Sequence, residues 1–218
     1  MTIPAAACTR LDHIVIAAET LDAGRRYLLD RLGVDIPPGG RHRGMATHNC
    51  VMSLGAGVYF ELIAIDPDAI SQQRPRWFDL DNPWLRQALT AGPRLVTWVV
   101  RVDGLDTIPY DRAIWGQPRT MKRDDLRWRI TIPDDGRLPG AGLLPTMIEW
   151  ECEPPANAMK NPGCTLKSLT IRHPATAWVK TQLESIDAVE LVDVVDSAPG
   201  SSGIEAVLDS PRGTVILR

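Results

Sequence analysis

The sequence predicts an α+β fold in which repeated βαβββ modules curve a mixed sheet around an open cavity, with a third partial module at the C-terminus. Three observations carry this. Short β-branched runs of strand length outnumber segments with helical periodicity, and the two do not alternate one for one as a parallel α/β sheet requires. The pattern restarts at an offset of 84 residues: Leu11, Val15, Leu21 and Asp22 return as Leu95, Val99, Leu105 and Asp106, while Ile14 and Ile16 become Trp98 and Val100. Finally, 218 residues with 44% hydrophobic and 23% charged side chains can bury a sizeable core without disulfide support.

The first module is placed at 11–68. Leu11 to Ala17 reads as a strand, and Leu21, Tyr27, Leu28 and Leu32 are spaced for a helix over about 21–32, with Thr20 as N-cap and Gly33 as terminator. Asp22 suits the positive end of that helix. After the turn at Pro37-Pro38-Gly39-Gly40, two strands are expected over Thr47 to Leu54 and Val58 to Ile65. Residues 69–92 turn polar and proline-rich, a linker carrying one short helix capped by Asn82 with Pro83 at its first position. The second module, 93–153, continues through a helix-like stretch to about Trp115, then strands at Leu126 to Ile132 and Met147 to Glu151. The partial module, 165–218, holds a strand over Leu166 to Arg172 and a helix bearing Trp178, Val179, Leu183 and Ile186. A run from Val189 to Val195 and a hairpin around Ser210-Pro211-Arg212-Gly213 follow.

Composition excludes some partners. A formal charge of −3 offers no general attraction to nucleic acid or to an anionic membrane surface. No apolar run approaches the roughly 18 residues that span a bilayer. The opening eight residues lack a basic start and a full apolar segment and read as an untethered tail. Cys8, Cys50, Cys152 and Cys164 form no CxxC pair, which points to reduced thiols and a cytoplasmic setting. Seven Trp stand against two Phe, and buried indole N–H groups seek partners, so some are expected to edge a polar cavity.

Alternation along strands puts His13 on the face opposite Ile14 and Ile16, Glu61 with Tyr59 and Ile63, and Glu149 with Met147 and Glu151. If the copies face one another, His13, Glu61 and Glu149 converge. Two buried carboxylates repel unless a cation neutralises them, and one imidazole with two carboxylates suits divalent Zn, Ni, Mn, Fe or Co. A salt-bridge network is the competing account: Arg101 shares a face with Thr97, and Arg127 and Arg129 alternate on one strand. The same guanidinium groups can clamp a substrate carboxylate or phosphate. His42 and His48 lie six residues apart across a Gly-rich loop, which lets both overhang a cavity mouth, with His48 the candidate proton-transfer group.

The paired βαβββ copies, the Leu11-Asp12-His13 opening and the Tyr59-Phe60-Glu61-Leu62 close resemble the vicinal-oxygen-chelate superfamily. Gly39-Gly40-Arg41-His42 followed by Thr47-His48-Asn49 resembles its glyoxalase-like subgroup. The resemblance implies a ligand on the first and last strand of each copy, typically His, Glu, His, Glu. Carried over, His13, Glu61 and Glu149 take three of these places, and Thr97 stands at the second-copy histidine. It further implies metal-assisted lyase or isomerase chemistry on a small vicinally oxygenated molecule, with Glu149 as base and Tyr59, Thr97 and the three arginines toward the substrate. The alternative is a metal-free protein that sequesters a small molecule on the same fold. Copies in this superfamily pair within a chain or between chains, so a homodimer is allowed.

Overall fold

The computed structural model describes residues 9–69 and 74–218; the expected N-terminal tail with Cys8 lies outside the described residues. The leading segment forms β1 (Arg10–Ala17) and α1 (Leu21–Leu32). Thr20 accepts from the Ala23 amide, and Gly33 ends the helix in the left-handed region at φ 75°. Strands β2 (Pro38–His42), β3 (Thr47–Gly55) and β4 (Val58–Ile65) complete the first copy. Helix α2 (Pro83–Thr90) is capped by Asn82. The second copy comprises β5 (Arg94–Arg101), α3 (Arg112–Trp115), β6 (Gln117–Arg123), β7 (Leu126–Ile132) and β8 (Thr146–Trp150). Its helix is a single turn, because Pro109 falls inside the stretch that corresponds to α1.

The two copies form one curled eight-stranded sheet in the order β2-β3-β4-β1-β5-β8-β7-β6. β1 and β5 run antiparallel at the centre, with Ile14 opposite Trp98, so the copies meet about a local two-fold axis. The last 54 residues build a separate sheet from β9 (Thr165–Arg172), α4 (Thr176–Glu184), β10 (Asp193–Val195), β11 (Gly203–Ser210) and β12 (Gly213–Leu217). Here the order is β10-β9-β11-β12, so β9 sits inside the sheet, whereas β1 lies at the end of its own copy.

Side chains alternate across the curled sheet into two cores. Ile14, Ile16, Phe60, Leu62, Trp98 and Val100 point outward and pack with α1, α4 and the C-terminal sheet. Val15, Ile63, Val99, Ile130 and Ile148 point into the concave side. There they meet Trp77, Phe78, Leu80 and Leu89, all from the segment expected to be a linker carrying one short helix. That segment is a plug: the Trp77 and Phe78 rings stack 5.2 Å apart and fill much of the concavity.

Helix α1 lies close against β4 at Gly24, where a Cβ would run into the Leu62 side chain. Gly24→Val should therefore lower stability by about 1–3 kcal/mol through overpacking. Gly44→Ala, where a Cβ meets nothing within 4 Å, should leave the urea midpoint nearly unchanged. Equal midpoints for both variants would contradict this packing.

Candidate functional site

The centre of the concave face is set by a bulge. Leu11 pairs with Val100 and His13 with Val99, so Asp12 is an extra residue on β1. It brings its carboxylate to the same side as His13, and His13 Nδ1 donates to Asp12 Oδ1 at 2.7 Å. Asp12 is fully buried and also accepts from the Trp150 indole at 3.0 Å. The second copy has the matching irregularity: Val96, 84 residues on, is extra on β5 between Leu95 and Thr97.

Across from Asp12, His13 Nε2 lies 3.6 Å from Glu61 Oε2, and the Tyr59 ring stacks on the imidazole at 4.3 Å. Asn49 donates its amide to Glu61 Oε1 at 2.6 Å. Burial alone works against both charges, yet their mutual attraction and Asp12 prevail. The His13 pKa is raised to about 9, and that of Glu61 is lowered to about 2. The pair is an imidazolium beside a carboxylate at neutral pH. Burial holds the Tyr59 phenol well above its ordinary value.

His42 closes the other side. Arg123 at the end of β6 donates to His42 Nε2 at 3.1 Å, and a guanidinium cannot accept, so that nitrogen carries the lone pair. Nδ1–H then faces Thr47 Oγ1 at 3.1 Å. Burial and the nearby guanidinium push the His42 pKa down to about 4, leaving a neutral ring. Arg123 also donates to Asn49 Oδ1 at 3.2 Å, and Gly40 N–H to the same oxygen at 2.9 Å, which turns the Asn49 amide nitrogen toward Glu61. Trp77, Trp128, Trp150, Leu126 and Met159 wall the remaining hollow of about 40 Å³, room for little more than ordered water. Three of the seven tryptophans thus edge a polar hollow, and two of them donate to groups behind its wall, Trp77 to Thr47 and Trp150 to Asp12.

The structure brings together His13, Glu61 and Tyr59, but not Glu149. Ile148 and Trp150 face inward, so Glu149 faces outward, where Arg129 reaches it at 3.0 Å and grips Asp106 with both terminal nitrogens. The expected convergence of Glu149 on the hollow is corrected to an outer-face salt bridge. The error lies in alignment: Val15 pairs with Glu61 and its counterpart Val99 with Thr146, so Thr146 is the true equivalent. Arg127 and Arg129 share that outer face, and Arg101 comes only within 3.9 Å of Asp12 from the rim. Thr97 is buried on the inner side, bonded to the Trp98 carbonyl at 3.3 Å and outside the hollow's lining. His48 points the other way, into a separate cavity of about 760 Å³ between α1 and α2, because Thr47, Asn49 and Val51 take the inward positions of β3. Asp12, Asn49 and Arg123 were not singled out from the sequence as site residues, and His42 was passed over in favour of His48. Strand parity from His13 and Glu61 could have found Asn49; nothing local marks the bulge or the reach of Arg123.

The curled pair of copies around an inward His–Glu pair defines a vicinal-oxygen-chelate fold. The chain belongs to the glyoxalase-like domain family, whose model matches residues 11–186. No curated protein matches the sequence. Among solved structures, a hypothetical protein from Staphylococcus aureus is 14% identical over 96% of this chain and 84% of its own, with a TM-score of 0.54. Methylmalonyl-CoA epimerase from Mycobacterium tuberculosis is 20% identical over 72% of this chain and 97% of its own, at a TM-score of 0.41. A mutant of 4-hydroxymandelate synthase from Streptomyces coelicolor is 13% identical over 95% of this chain and 62% of its own, at a TM-score of 0.44. Such likeness speaks to the fold alone. No described helix is long and apolar enough to cross a membrane.

The residues present do not fit the divalent ion that the fold family implies. Of the four places on the first and last strands, the second copy offers only the hydroxyls of Thr97 and Thr146, poor donors for a transition metal. The nearby His42 imidazole spends its lone pair on Arg123, a fixed positive charge. Among the described residues no group of three or more His, Cys, Asp or Glu side chains could hold an ion.

The pair makes stability pH-dependent in a defined way. Between about pH 6.5 and 9 the native chain keeps a His13 proton that the unfolded chain has released, so stability falls as pH rises through that range. Between about 4.5 and 2 the unfolded chain takes up a proton that native Glu61 refuses, so stability falls as pH drops. Urea midpoints should show an alkaline decline that His13→Gln flattens; an identical decline in the variant would contradict the pairing. Glu149→Gln, at a partly exposed bridge, should cost under about 1 kcal/mol and leave that decline untouched.

Proposed function

We propose that this glyoxalase-like protein is an enzyme that moves protons on a small vicinally oxygenated substrate, using His13 and Glu61 as its acid and base. The observation that carries this reading is the buried imidazolium–carboxylate pair on the floor of the hollow, held at 3.6 Å. A substrate carbonyl entering between them would take a hydrogen bond from His13 Nε2–H, while Glu61 faces the neighbouring C–H. Separating the pair removes the charge that keeps Glu61 weakly basic, so its affinity for a proton rises when the substrate is in place. Glu61 takes the carbon-bound proton, its C–H electron pair becomes the new C=C bond, and the carbonyl oxygen receives the His13 proton, giving an enediol. Delivery of the Glu61 proton to the former carbonyl carbon, while the hydroxyl on the other enediol carbon gives its proton to His13 and becomes the new C=O, completes an isomerisation. Where the next carbon carries a leaving group, the oxygen proton returns to His13 as the C=O re-forms, the enol electron pair becomes a C=C to that carbon, and the group departs with the proton held by Glu61, which completes a lyase reaction.

Asp12 is a positioning residue here. Its bond to Nδ1 fixes the imidazole plane and favours the protonated ring. Asn49 does the same for Glu61, orienting one carboxylate oxygen and leaving the other toward His13.

The test is exchange of substrate C–H for deuterium, followed by proton NMR in D₂O with a panel of small 2-oxo and 2-hydroxy compounds. Wild-type protein dialysed against EDTA should catalyse exchange, and Glu61→Gln and His13→Gln should each lower the rate about 100- to 10,000-fold. Binding with no exchange would contradict the enzyme reading and leave a sequestering protein. Exchange that vanishes with EDTA and returns with a divalent metal would contradict the proton-only route.

A further inference from the structure

Among the described residues, Arg123 is a charged group of the hollow with no carboxylate within ion-pair distance. Two other arginines of the β6–β7 hairpin have carboxylate partners, Arg119 with Asp134 and Arg129 with Asp106 and Glu149, while Arg127 lies on the outer face, away from the hollow. Arg123 stands at the hairpin tip, before Asp124 at φ 52°, and among the described residues it bonds only to neutral acceptors, His42 Nε2 and Asn49 Oδ1. Both bonds use Nη1, and among the described residues the rest of the five-donor fork has no protein acceptor. Glu61 makes no ion pair with Arg123 and instead faces His13 and Asn49.

The side chain also shapes the entrance. It lies across β2, where a Cβ on Gly40 would approach Arg123 Cδ to 2.8 Å, so it ties the two edge strands of the curled sheet together. A partly buried guanidinium held by weak neutral acceptors gains most from an anion that can take its fork bidentately. The Asn49 side chain bridges it to Glu61, so an anion bound there leaves the next carbons of a small molecule facing the His13–Glu61 pair.

We propose that Arg123 is the anion receptor of this site and that the substrate is a small carboxylate, of the 2-oxo or 2-hydroxy acid class, which draws the guanidinium off His42 and Asn49 as it enters. The orientation of that substrate rests on the acid–base reading above; the anion preference does not. It follows that the 40 Å³ hollow is the latched form, and that it widens when the carboxylate replaces the two neutral acceptors.

Binding of pyruvate and lactate, against their neutral amides pyruvamide and lactamide, is measured at constant ionic strength by calorimetry and by the fluorescence of Trp77, Trp128 and Trp150. The acids should bind at least about tenfold tighter than the amides. Arg123→Gln should abolish that preference, and Arg123→Lys, which keeps the charge without the fork, should retain part of it. Thermal unfolding of each variant verifies that it is folded. His13→Gln should keep the acid preference even where deuterium exchange is lost, which separates failure of the catalytic reading from failure of this one. Equal binding of acids and amides by the wild type, no binding of either acid, or a preference that survives in Arg123→Gln would overturn the proposal.

Discussion

A carboxylate carried to the inside of a curled sheet must be neutralised, and in this protein a proton on His13 does it. Glu61 sits on a strand whose neighbours Phe60 and Leu62 anchor the outer core, so its side chain has nowhere to go but inward. An isolated charge at that depth would be prohibitive. The bulge at Asp12 supplies a second carboxylate on the far side of the imidazole, and the three groups together hold one positive and two negative charges. The Trp150 indole, the Asn49 amide and the rim guanidinium of Arg101 share the remaining charge. Breaking any one partner would leave another buried and unmatched.

Duplication explains the frame, and divergence explains the chemistry. Both copies have the bulge, Asp12 in one and Val96 in the other, so the backbone device does not depend on a polar residue at that position. Both copies keep an inward position on the first and last strand, but the second holds Thr97 and Thr146 where the first holds His13 and Glu61. The concave side is consequently polar at one end only. Trp77 and Phe78 from the connecting segment fill the apolar end with stacked rings, and what is left open is the hollow in front of His13.

Much of the frame was legible in the sequence because short-range signals wrote it. Thr20, Gly33 and Asn82 mark helix ends by side-chain chemistry, and the span 21–32 for α1 agrees residue for residue with the structure. The offset of 84 between copies held because strands β1 and β5 pair about their own midpoint. The site was legible only where parity stayed unbroken. His13 and Glu61 were placed on one face correctly, whereas Glu149 was taken as the equivalent of Glu61 three residues beyond Thr146, an odd shift that on a strand inverts the face. His48 failed for the same reason, one position from the inward Asn49. The contact of Arg123 with His42 spans 81 residues and depends on sheet curvature, a global property that no local pattern carries.

The central claim is that His13 is the cation of the site. Nitrogen-15 NMR of the imidazole, followed from pH 6 to 10 in metal-free protein, reads this directly. Both ring nitrogens should remain protonated through neutral pH and titrate together near pH 9. A neutral ring at pH 7.5 with an unprotonated Nε2, the form a metal would coordinate, would contradict the account.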